Sequence, residues 1–185
     1  MNFELSEEHL SVKEAARDFA QNVLKPGVIE RDDKQEFPTE QIKELGELGF
    51  MGMMVSPEYG GSGMDTLSYV LAMEEISKVD ASTSVCMSVN NSLVCWGIEK
   101  YGTEAQKQKY LIPLASGQKI GAFCLSEPEA GSDATSQKTS AIDMGDHYLL
   151  NGTKNWITNG SSASIYIVMA QTNAEAGHKG INAFI

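Results

Sequence analysis

Up to Gly117 the apolar positions fall at three- and four-residue steps; beyond it they run in short blocks. The first spacing draws a stripe down one side of a helix, and the second suits strands. Val12, Ala15, Ala16, Phe19, Val23 and Leu24 mark a first helix, which Lys25-Pro26-Gly27 stops. Ile42, Leu45 and Leu48 mark a second, opened by Pro38 and closed by Gly49. Asp65 caps a third, with Leu67, Val70, Leu71 and Ile76 as its buried stripe. A fourth covers about 82–100 and carries Val85, Val89, Leu93 and Trp96, with Gly102 after its end. Thr103-Glu104-Ala105-Gln106 is a capping box for a fifth.

After Gly117, residues 120–125 read as a short buried strand. His147-Tyr148-Leu149-Leu150 runs into Asn151-Gly152, a hairpin turn signal, and Asn159-Gly160 is a second turn. Residues 164–170 form a β-branched run, and 180–185 open another strand. The pattern predicts an α+β chain: an all-helical domain over 1–117, then an antiparallel β-domain over 118–185 that is incomplete. A strand that stops where its pairing begins is odd for a natural C-terminus.

Composition narrows the function classes. With 14 Lys+Arg against 25 Asp+Glu, the net charge is -11, a poor match to nucleic acid or an anionic membrane surface. An anionic ligand must then rest on backbone N–H groups, hydroxyls and a few local cations. No apolar stretch approaches the ~20 residues that span a bilayer. The start, Met1-Asn2-Phe3-Glu4-Leu5, is no signal or transit peptide. Cys86, Cys95 and Cys124 form no C-x-x-C pair and an odd set, which fits buried thiols in a reducing, cytoplasmic setting. No metal site is expected.

Three segments are candidates for chemistry. The fourth helix is nearly uncharged but rich in Ser and Asn, so it either bonds neighbouring backbone or lines a cavity. Residues 58–65 form a glycine-rich turn before a helix, without the Lys or spacing of a phosphate-binding P-loop, and read best as a plain turn. The densest stretch is Phe123 to Asp133, where a strand ends, Pro128 turns the chain, and small residues let several N–H groups converge. Downstream, Trp156 and Thr158 share a face if the backbone is extended, one to stack on a flat ligand and one to bond it.

The run Cys124-Leu125-Ser126-Glu127-Pro128-Glu129-Ala130-Gly131-Ser132-Asp133-Ala134-Thr135-Ser136 resembles the first signature of the acyl-CoA dehydrogenases. Residues 58–65, 101–111 and 151–160 are similar to the same family, in order along the whole chain. Residues 81–93 look most like its short-chain, butyryl-CoA branch.

The resemblance implies an N-terminal helical domain, a middle β-domain and a C-terminal four-helix bundle, the last absent from this chain. It implies FAD-dependent α,β-dehydrogenation of an acyl-CoA, with electrons passed to an electron-transfer flavoprotein. Carried over by position, Phe123, Cys124, Leu125, Ser126, Glu127, Gly131 and Ser132 line the FAD. Ser126 faces the pyrimidine side of the flavin, and Gly131 and Ser132 the pyrophosphate. Trp156 covers the ring, Thr158 bonds near N5, and Ile157 between them belongs to the same cofactor site. Ser132 also sits near the acyl-CoA, whose pocket Val85, Val89 and Asn90 wall. The catalytic glutamate belongs to the bundle, beyond Ile185, and the full-length protein is a homo-oligomer, tetramer or dimer. Other readings are a flavin oxidase or monooxygenase, a branched-chain acyl-CoA dehydrogenase, or a non-catalytic piece that binds acyl-CoA or a protein.

Overall fold

Four of the α-helices start where a polar side chain, Ser6, Asp65, Asp80 or Thr103, satisfies free N–H groups. In the computed structural model, which describes residues 4–185, Ser6 and His9 cap α1 (Glu7–Phe19) reciprocally. The reading of Met1 to Phe3 as no targeting segment lies outside the described residues. A π-helical turn, Ala20–Leu24, extends α1. Gly27, at φ +82°, then breaks the chain into α2 (Val28–Lys34). That helix buries no side chain, so it left no apolar stripe to read. Arg31 anchors it, donating to Asp80 Oδ2 at 3.1 Å and Leu24 O at 3.0 Å.

α3 (Thr39–Glu47) ends before Gly49, and α4 (Thr66–Ser77) is capped by Asp65, which accepts from Ser68 N. α5 (Ala81–Ser88) continues through a π-helical stretch, Val89–Cys95, into α6 (Trp96–Tyr101). Thr103 and Gln106 form the expected capping box on α7 (Glu104–Gln106), which leads through Lys107–Leu111 to α8 (Ile112–Ala115). Val12, Phe19, Leu24, Ile42, Leu45, Met51, Ile76 and Met87 lie in one core cluster.

Two helices turn differently from the pattern. Leu67 and Val70 on α4, and Val85, Leu93 and Trp96 along α5–α6, are 41–51% exposed. Leu48 is also exposed. The buried side of α5–α6 carries Thr83, Cys86, Asn90, Asn91, Val94, Cys95 and Ile98. Its polar members are satisfied inside, so they stay in the core while the apolar stripe faces out. The glycine-rich turn is structural. A Cβ on Gly61 would meet Val55 O at 2.1 Å, so this glycine serves close packing.

The chain divides into two compact units at 120/121. The second holds β1 (Gly121–Cys124), β2 (Ser140–Asp143), β3 (Tyr148–Asn151), β4 (Ile165–Gln171) and β5 (Ile181–Phe184). β1 runs parallel to β4, with Gly121 opposite Ile165 and Cys124 opposite Val168. β2 meets β4 in parallel at Ser140 and Gln171, while β2–β3 and β4–β5 are antiparallel. The sheet is therefore mixed, not antiparallel. The segment between β1 and β4, which contains the β2–β3 hairpin, is the long crossover that parallel neighbours need.

The hairpin turn also lies elsewhere than expected. It is at 144–147, where Gly145 takes φ +96° and Met144 N donates to His147 O at 2.9 Å. Gly152 ends β3 and lies against Thr139, whose Oγ1 would be 2.3 Å from an added Cβ. The three cysteines are buried and form no disulfide. Burial pushes the Cys86 thiol up to about 11 and raises Cys95 and Cys124 as well. No helix among the described residues is long and apolar enough to cross a membrane.

Candidate cofactor site in the β unit

The C-terminal end of β1 opens into the stretch singled out from sequence. Pro128 sits in a tight turn closed by two backbone bonds, Glu127 N to Ala130 O at 3.0 Å and Ala130 N to Glu127 O at 3.2 Å. Ala130 is buried and pins the turn, whereas Gly131, Ser132 and Asp133 are exposed. A Cβ on Gly131 would meet nothing within 4 Å, so that glycine leaves open space at the surface. Asp133 is engaged locally. Its carboxylate accepts from the Ser136 and Thr135 hydroxyls, which hold its pKa below the ordinary value.

A second loop, between β3 and β4, runs beside the first. Asn155 N donates to Ser126 O at 2.8 Å. Lys154 Nζ donates to Leu125 O at 2.9 Å, Glu127 Oε1 at 2.7 Å and Gln137 Oε1 at 3.1 Å. The three N–H groups of the ammonium thus meet three acceptors. Both charges are deeply buried, with side-chain exposures of 11% for Lys154 and 5% for Glu127. Glu127 also accepts from Thr139 N at 3.0 Å and Lys138 N at 2.6 Å. Burial alone would push its carboxyl up, but the Lys154 bond and the two backbone donors override it and hold the pKa at about 2.

Lys154 and Asn155 lead directly to Trp156, whose φ is +57°. That left-handed backbone is a true outlier for a bulky residue and costs about 1–3 kcal/mol. Its indole is 94% exposed. The segment is a bend and a turn rather than a strand, so the two-residue alternation expected to put Trp156 and Thr158 on one face does not apply. Asn159, at φ +66°, closes the turn, and its amide donates to Gly121 O at 3.0 Å. Ser126, Ile157 and Thr158 are half-buried around it. A strained and fully presented indole on a loop bonded to Ser126, with exposed residues at 131–133 on the partner loop, suits a planar heteroaromatic ring with an anionic tail.

Of the residues read from sequence, Ser126, Gly131, Ser132, Trp156, Ile157 and Thr158 lie on these two loops. Phe123 and Cys124 are the strand that feeds them, and Cys124 is buried. Glu127 turns inward and is committed to Lys154. In the helical unit Val85 is exposed and Val89 half-buried. Asn90, expected to wall a pocket, is a core residue. Its Nδ2 donates to Met51 O at 2.8 Å and Leu114 O at 3.2 Å. Lys154 was missed, although the sequence held a signal. It is the one Lys or Arg between 139 and 178, set in an otherwise uncharged turn, and Glu127 ends an apolar run.

Comparison with known proteins accounts for the arrangement. Residues 6–118 match the model for "Acyl-CoA dehydrogenase, N-terminal domain" and residues 122–185 that for "Acyl-CoA dehydrogenase, middle domain". The short-chain-specific acyl-CoA dehydrogenase of Clostridium acetobutylicum is 49% identical over 185 residues, all of this chain and 49% of that protein. The structure of butyryl-CoA dehydrogenase from Megasphaera elsdenii is similar over all of this chain and 49% of its own, at 46% identity and a TM-score of 0.95. A chain of a structure described as the electron transferring flavoprotein of Acidaminococcus fermentans aligns over all of this chain and 48% of its own, at 48% identity and a TM-score of 0.96. The chain spans about half the length of the relatives it matches.

Proposed function

Because the chain belongs to the acyl-CoA dehydrogenase family, we propose that it supplies the helical and flavin-binding domains of an FAD-dependent short-chain acyl-CoA dehydrogenase. The observation that carries this reading is Trp156, strained and exposed beside the Ser126 loop. FAD supplies the hydride acceptor for the substrate β-carbon. Trp156 covers one edge of the ring, and Ser126 and Thr158 offer hydroxyls to its rim. The N–H groups of Gly131 and Ser132 receive the pyrophosphate, and Ser132 also borders the acyl-CoA. Val85 and Val89 supply apolar wall for a short acyl chain.

The base that takes the α-proton is assigned outside this chain. In the described residues the buried carboxylates are already engaged: Glu75 with Arg17 and Lys78, Asp80 with Arg31, and Glu127 with Lys154. Arg17 and Lys78 hold Glu75 at about 2 against its burial, and Glu127 is equally acidic. A carboxylate so acidic is a weak general base near neutral pH. The proposed electron acceptor is an electron-transfer flavoprotein, and the full-length enzyme is proposed to be a homo-oligomer. Three buried thiols that form no disulfide suit a reducing compartment, the cytoplasm in this proposal.

The test is the visible spectrum of the purified full-length protein. A flavin band that butyryl-CoA bleaches without oxygen supports the reading. A colourless protein, or a flavin left oxidised by every short acyl-CoA, sinks it. Residues 1–185 alone are expected to turn over no butyryl-CoA with an artificial acceptor.

A further inference from the structure

We infer that the buried Glu127–Lys154 pair is a positioning device for the flavin site, acting through the backbone of Trp156. The assignment rests on the flavin reading above. A buried ion pair is poor value as a source of stability, since apolar side chains of similar volume usually do as well or better. This pair is nonetheless built with care. One ammonium meets Leu125 O, Glu127 and Gln137, and the carboxylate also collects Lys138 N and Thr139 N. Three separated stretches, 125–127, 137–139 and 154, are thereby fixed at one point under the two site loops.

The strain at Trp156 says what that fixation does. A left-handed backbone at a bulky residue persists only where its surroundings over-determine it. Packing does not hold this side chain, because the indole is almost wholly in solvent. The constraint must come along the chain. Lys154 is tied two residues before, Asn155 N is bonded to Ser126 O one residue before, and the Asn159 amide holds Gly121 O three residues after. Lys154 is the side-chain tie nearest the strain, and its bond to Leu125 O holds one loop against the other. Released from it, Trp156 relaxes toward ordinary φ and its ring leaves the position beside Ser126.

The experiment uses the full-length holoenzyme and a cycle of Lys154→Met, Trp156→Ala and the double variant. The readouts are the FAD dissociation constant on reconstitution of the apoprotein, the flavin absorption band and the apoprotein melting temperature. Lys154→Met is expected to weaken FAD binding about tenfold and shift the band and, because it leaves the buried Glu127 carboxylate without its cation, to lower the melting temperature as well. The double variant should lose no more than Trp156→Ala alone, because Lys154 acts through that residue. Additive losses, as a purely structural role would give, overturn the assignment. FAD affinity within threefold of wild type also overturns it. If Lys154→Met does not fold, Lys154→Arg decides, because it keeps the charge but cannot reproduce a compact three-acceptor ammonium. A folded Lys154→Arg with weakened FAD binding supports the pair's role, and one with unchanged binding and spectrum overturns it. A wild type without flavin would instead overturn the reading beneath, which separates the two failures.

Discussion

In the helical unit Asn91 buries an amide to hold Met53, Phe50 and Met87 together; in the β unit Glu127 and Lys154 bury charges to hold two surface loops. The polar group is a strut inside an apolar core in the first case. In the second it lies under a surface and sets its shape. The difference extends to strain. The helical unit spends positive φ on glycines such as Gly27 and Gly49, with Gln35 an exception. The β unit spends it on Gly145 and Gly177 too, but also on Trp156 and Asn159, beside the candidate site. A residue that helps the fold and one that helps the site should therefore respond oppositely to substitution.

The sharpest way to break this contrast is Asn91→Ala. Its Oδ1 accepts from Met53 N at 2.8 Å, and its Nδ2 donates to Phe50 O at 2.8 Å and Met87 O at 3.0 Å. Removing it strands buried backbone groups and leaves a cavity, at a cost of about 3–5 kcal/mol. Urea unfolding followed by circular dichroism measures this, and a loss below about 1 kcal/mol would mean the strut is ornamental.

Next in size is Glu75, buried against Arg17 Nε at 3.1 Å, Lys78 at 3.0 Å and Lys13 at 3.7 Å. Glu75→Gln at neutral pH removes the buried carboxylate that these partly exposed cations meet and is expected to cost about 2–3 kcal/mol. The pH dependence has a definite sign. The folded pKa, about 2, lies below the ordinary 4.5, so the contribution is complete above 4.5 and fades as pH falls toward 2. Glu127 follows the same window, so acid should loosen both units together. Between pH 5 and 3 the variant's stability should fall less steeply than wild type. Parallel profiles would remove Glu75 from the account.

Two glycines then separate fold from site. Gly61→Ala drives a methyl into Val55 and should cost about 2 kcal/mol without touching flavin affinity. Gly131→Ala meets open space and should change stability by less than about 0.5 kcal/mol, while weakening FAD binding. The reverse pattern in melting and reconstitution would undo the distinction.

How much of this was legible in the sequence follows the same divide. Caps and stops are local, so Asp65, Thr103 and Gly117 could be read directly. The faces of α4 and α5–α6 could not. An apolar stripe at helical spacing looks identical whether it meets a core or stays open, and only the long-range partners of Asn90 and Asn91 decide which side goes in. Every strand but β2 was legible, and the parallel pairing of β1 with β4 joins residues far apart in sequence and leaves no local trace. The site loops were found through their motif. Their tie was not, because Glu127 and Lys154 are 27 residues apart.

The smallest expected effect tests the contrast from the other side. Trp156 has almost no packing to lose, and its backbone sits where Asn is tolerated far better than an aromatic ring. Trp156→Asn should therefore stabilise the apoprotein by about 0.5–1 kcal/mol while weakening its hold on FAD. Thermal unfolding of apoprotein and holoenzyme, run side by side, reads both. A destabilised apoprotein would mean that the indole packs against the fold, and that the strain at Trp156 belongs to the β unit's own stability.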